Sequence, residues 1–104
     1  MNELAQNYIN IYDTERTRFI DISAKISALE DESETIRATV EEQAMTDSAT
    51  STGVASLKRK LLAKHNRYQE ICTELKTLAI VKMYAEKEAR IAEMNAWNNI
   101  EKIH

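Results

Sequence analysis

MTDSATSTG, residues 45–53, gathers hydroxyl side chains, an aspartate and the only glycine of a 104-residue chain that has no proline. Such residues offer the backbone local hydrogen bonds in place of helical ones, so they mark turns and helix starts. On either side the sequence runs without a breaker for the rest of its length, in residues that favour helix. One turn between two long helices follows. The expected organisation is a single helical-hairpin domain over 1–104, with a helix at about 2–45, a turn at about 46–53 and a helix at about 54–103. Asp47, Ser48, Ser51 and Thr52 are each able to cap the second helix. At the α-helical rise each arm would be about 65 Å long, which predicts a rod.

The arms carry apolar residues at alternating spacings of three and four. In heptads abcdefg the first arm puts Ala5, Tyr12, Phe19, Ile26, Ser33 and Val40 at a, with Tyr8, Glu15, Ile22, Leu29, Ile36 and Gln43 at d. The second arm has Val54, Leu61, Tyr68, Leu75, Lys82, Ala89, Ala96 and Ile103 at a, and Leu57, Lys64, Ile71, Leu78, Ala85, Ala92 and Asn99 at d. A seam sustained this far predicts an all-α, long antiparallel two-helix coiled coil, since an unsupercoiled helix would drift off it. Polar residues in a seam cost least when they meet one another. That criterion sets Glu15 on Lys82 and Ser33 on Lys64, with Phe19 on Leu78, Ile26 on Ile71, Tyr12 on Ala85 and Tyr8 on Ala89.

In this register the basic stretch SLKRKLLAKHNR, residues 56–67, lies beside an acidic one. Glu30, Asp31, Glu32, Glu34, Glu41 and Glu42 face Lys58, Arg59, Lys60, Lys64 and Arg67, with Glu32 near Arg67 and a repulsive approach of Arg37 to Lys58. Exposed pairs contribute only about 0–1 kcal/mol each, so this charge match serves orientation more than stability. The rival reading makes Lys58, Arg59, Lys60, Lys64 and Arg67 a nucleic-acid surface. The acidic flank and the lack of interleaved aromatics argue against it, as does a net charge of −3 with a pI near 5.4.

No arrangement of nucleophile and base emerges, so no catalytic residue is assigned and an enzyme is not expected. Glu101-x-x-His104 has the spacing of a bundle metal motif but no second pair to complete it, and His65 with Cys72 supplies only two ligands. Neither a metal nor a cofactor is expected. A single cysteine excludes an intramolecular disulfide, and neither a leader pattern nor a long apolar run is present. The expectation is a cytoplasmic protein that does not enter membranes.

Toward the chain ends the polar outer faces turn apolar. The second arm presents Ile80, Tyr84, Ile91 and Met94, the first adds Leu4, Ile9 and Ile11, and Trp97, Ile100 and Ile103 overhang the first arm in this register. Contiguous apolar surface of that kind usually marks association. These ten residues are the expected contact of a homodimer, with a four-helix bundle at the termini end. The function expected is a small non-enzymatic binder, an inhibitor, chaperone or assembly factor for a larger protein, and a viral inhibitor fits as well as a housekeeping adaptor. The alternatives are a nucleic-acid accessory protein using residues 58–67 and a structural or scaffolding subunit.

Overall fold

The computed structural model describes the backbone of residues 3–101 and the side chains of residues 3–99. The chain is all-α. Its described residues form helices α1 (Glu3–Asp47), α2 (Ser51–Lys64) and α3 (Asn66–Glu101), with no strand among them.

Only Ser48, Ala49 and Thr50 lie between α1 and α2, a shorter turn than composition suggests. Thr50 is the N-cap, with extended backbone (φ −115°, ψ 148°) and an Oγ1 that accepts from the Gly53 N–H at 3.0 Å. It was not among the four expected caps. Its carbonyl accepts from the Val54 N–H at 2.8 Å, so the cap opens a regular helix, and such caps contribute about 1 kcal/mol. Gly53 therefore belongs to the first turn of α2, where its φ is not positive. The requirement is space. A methyl group at Gly53 would overlap Ser48 Oγ and Thr50 Oγ1, the atom that makes the cap.

The second arm is two helices, because His65 interrupts it. This residue is extended (φ −82°, ψ 104°), and its N–H turns back to Leu62 O at 3.2 Å. Its Nδ1 accepts from the Tyr68 N–H at 3.1 Å, which makes His65 the cap of α3 and leaves the ring proton for Nε2. Gln69 closes the break from the other side. Its N–H donates to His65 O at 3.1 Å while its Nε2 donates to Leu62 O at 2.9 Å, a second donor for the carbonyl that already accepts the His65 N–H at the end of α2.

The packing falls into two compact units, one of residues 26–77 and one of residues 1–25 with 78–104. In the first, Leu29, Ser33, Val40, Ala44 and Ile71 are buried. Nested pairs Glu41 with Lys58 (3.2 Å) and Glu32 with Arg67 (2.7 Å) show that the chain doubles back here at residues 48–50. Near this turn the seam departs from strict heptads. Gln43 is exposed and Ala44 is buried in its place, while Lys64 is exposed and the half-buried His65 replaces it. The pairing of Ser33 with Lys64 is therefore corrected: the serine is inside and the lysine is in water. Lys58 likewise reaches Glu41, so the repulsion expected from Arg37 is offset.

The second unit buries Ala5, Leu78, Ala85, Ala92 and Ala96, with Tyr8, Tyr12, Phe19 and Ile22 half-buried. Its expected ion pair is also corrected. Lys82 Nζ sits 5.9 Å from the centroid of the Phe19 ring, within range of a cation–π contact. Glu15 keeps a buried Oε2 with no hydrogen-bond partner, and Arg18 Nη1 approaches that oxygen only to 3.9 Å. An acceptor taken from water and left unpaired is a net cost. Glu15→Leu should therefore stabilise the fold by about 1 kcal/mol, seen as a higher urea midpoint at unchanged slope. A lower midpoint would show that the carboxylate has a partner in solution.

Candidate functional site

α3 presents two apolar faces between Leu78 and Ala96. The inner one is spent on the core, where Leu78, Ala85, Ala92 and Ala96 are buried. The outer one carries Ile80, Tyr84, Lys87, Ile91 and Met94, spaced four, three, four and three residues apart, and all five are exposed. Side chains three, four and seven apart share a helix face, so these form one continuous stripe. The exposure is large: Tyr84 64%, Met94 63% and Ile80 58%. Met83 belongs with them at 70%, the most exposed of the large hydrophobic side chains described, although the heptad spacing does not single it out.

Two shallow hollows lie along the stripe. Ile80, Met83, Tyr84 and Lys87 line one, and Met83, Glu86, Lys87, Arg90 and Ile91 line the next. The first set has the pattern i, i+3, i+4, i+7, and Met83, Glu86, Lys87 and Arg90 repeat it. Four residues in this arrangement form the hole that receives one side chain of a partner helix in a coiled coil. Arg90 donates to Glu86 across the second hollow at 2.9 Å, which leaves Lys87 the cation at the middle of the stripe.

On α1, Leu4 and Ile11 are exposed and Ile9 is half-buried. Trp97 does not overhang the end of α1 as expected. With Ala96 and Glu93 it lines a groove of about 370 Å³ whose other wall is Ile9, Tyr12 and Asp13 of α1. The indole is nonetheless 59% exposed, so the groove shelters it without burying it. Ile103 and the side chain of Ile100 lie outside the described residues, as does the Glu101–His104 pair.

The basic stretch lies in the other unit and is partly spent on carboxylates. The Arg67 guanidinium forks onto Glu32, with Nε to Oε1 and Nη2 to Oε2 both at 2.7 Å, and adds Glu70 at 3.4 Å. Lys58 is engaged by Glu41, while Arg59, Lys60 and Lys64 are exposed. The hydrogen bonds from Arg67 hold the Glu32 carboxyl below the usual carboxylate range, and those to Glu32 raise the Arg67 guanidinium. A carboxylate with a depressed folded pKa stabilises above its unfolded pKa and loses that contribution as pH falls through its folded pKa. Glu32→Gln should thus narrow the gap in thermal midpoint between neutral and acidic solution, with most of the change on the neutral side. Parallel midpoint–pH curves for wild type and variant would show that the fork does not hold in water.

Among the described residues no group of three or more His, Cys, Asp or Glu side chains could hold a metal ion, and no helix is long and apolar enough to cross a membrane. Cys72 is a half-buried free thiol. No protein-family model, curated protein or solved structure matches the chain.

Proposed function

We propose that the chain is a non-enzymatic protein–protein interaction module, an antiparallel coiled-coil hairpin that pairs with a second copy through the outer face of α3. Pairing there would build a four-helix core from the unit that holds the chain ends, and leave the polar faces of the other unit to a larger protein. An inhibitor, chaperone or assembly factor works in this way, by covering surface and not by chemistry. The observation that carries the reading is the exposed stripe of Ile80, Met83, Tyr84, Ile91 and Met94.

Apolar surface returns about 25 cal/mol for each Å² removed from water, and monomeric proteins seldom leave a contiguous stripe of large side chains uncovered. The inner face of α3 cannot relieve the outer one, since its alanines already lie against their neighbours. A second copy is the occupant argued for because the stripe is heptad-spaced, and a heptad-spaced face is matched by another of the same spacing.

Hydroxyl-radical footprinting as a function of protein concentration tests this at side-chain level. Oxidation of Met83, Tyr84 and Met94 should fall as concentration rises through the micromolar range, while Met45, exposed in the other unit, stays reactive. Equal, concentration-independent oxidation of all four would refute the reading.

A further inference from the structure

Building on the self-association proposed above, we infer that the two copies meet α3 against α3, antiparallel across a two-fold axis, with Ile80 of each facing Ile91 of the other and Lys87 of each over the Tyr84 ring of the other. The stripe contains one charge, Lys87, and that charge selects the geometry. In a parallel pair identical residues share a layer, so two Lys87 ammonium groups would face each other while losing water. An antiparallel pair avoids this, and heptad layering then allows two central registers.

In the first, Tyr84 lies opposite Lys87 of the partner copy and Ile80 opposite Ile91. Lys87 enters the hollow of Ile80, Met83 and Tyr84, where its stem packs on apolar atoms and its ammonium meets an aromatic face. Tyr84 enters the hollow whose rim is Glu86, Lys87 and Arg90. At the flank Met83 meets Arg90, whose guanidinium stays paired to Glu86. The chain already makes a contact of this kind between Lys82 and Phe19.

The second register slides one heptad. Lys87 then meets Ile91, with neither ring nor carboxylate for its charge, and Tyr84 meets Met94. The residues nearest the axis become Arg90 against Arg90 and Glu88 against Glu88, like charges on both flanks. The first register gives Lys87 a ring and keeps Arg90 on Glu86; the second opposes two like-charged pairs.

Two variants made with Cys72→Ser, and altered only at the flank, read the register directly. Met83→Cys with Arg90→Cys should be joined into covalent dimers by mild oxidation or a short bis-maleimide, whereas Arg90→Cys alone should not. Self-linking of Arg90→Cys alone overturns the inference in favour of the slid register. Absence of linking in both, from chains that still sediment as dimers, overturns it while leaving self-association intact; chains that sediment as monomers, with the parent chain also monomeric, overturn the reading beneath it. Independently, Lys87→Glu should weaken dimerisation about tenfold or more and Lys87→Arg should preserve it. Unchanged or tighter association of Lys87→Glu would contradict the ring contact.

Discussion

Aspartate at both Ile80 and Ile91 should leave the chain fully helical and abolish the proposed self-association. Both side chains are exposed in the single chain, at 58% and 43%, and neither belongs to the buried core, so the substitutions leave the core packing in place. The helix-propensity cost is about 0.5 kcal/mol per site, small against a fold held by its inner faces. At the proposed interface the result is different. Two isoleucines per copy lose their burial, and four carboxylates would have to enter a seam that offers them only Lys87. Burial of unpaired charge is opposed strongly enough that a weakening of more than about a hundredfold is expected. Light scattering should report one copy at concentrations where the parent chain is paired, with circular dichroism unchanged. A double variant that still pairs would place the contact elsewhere, with Leu4, Ile11 and the Trp97 groove the next surface to alter.

The largest stability effect should come from Ile71→Ala. Ile71 is the only large side chain described as wholly buried, at 0% exposure. Much of the remaining core is alanine, at positions 5, 44, 85, 92 and 96, where one methyl group each is sheltered. The larger buried groups are few, and deleting one leaves a cavity that two packed helices close only in part. A loss of about 3 kcal/mol is expected, within the usual span for isoleucine to alanine in a core. Urea unfolding at fixed protein concentration measures it, since association would otherwise add to the apparent stability. Ile20→Ala is the control: at 51% exposure it should change stability by less than about 0.5 kcal/mol. Equal effects at the two sites would mean that Ile71 is not the centre of its unit.

Periodicity made the inside of the fold legible. Ala5, Leu29, Ser33, Val40, Ile71, Leu78, Ala85, Ala92 and Ala96 are all buried, and all fall at a or d of the heptads read from the sequence. Ala44 departs from them, one place beyond its heptad position, because near the turn the helix follows its own pitch. The features that escaped are those set by local hydrogen bonds. Thr50 caps α2 through one N–H, and His65 breaks the second arm by accepting from Tyr68, a role that its ring shares with no periodic signal. Lys82 was misplaced because a long side chain crossing from α3 can settle on Phe19, one turn along α1, instead of on Glu15.

The outer stripe was legible in part. Ile80, Tyr84, Ile91 and Met94 stood out because they repeat at heptad spacing on the face opposite the seam. Met83 did not, since it belongs to the wall of a hole and not to the row of knobs. A search for sets at i, i+3, i+4 and i+7 would have found it. Trp97 was not legible, because a heptad pattern does not fix whether its indole meets Ile9 and Tyr12 or lies beyond the end of α1.

Sedimentation equilibrium of the unaltered chain across the micromolar range tests the central claim most directly. The account predicts a reversible rise from the 11.9 kDa of one copy to twice that mass and no further. A constant 11.9 kDa at every concentration would contradict it, as would growth without limit.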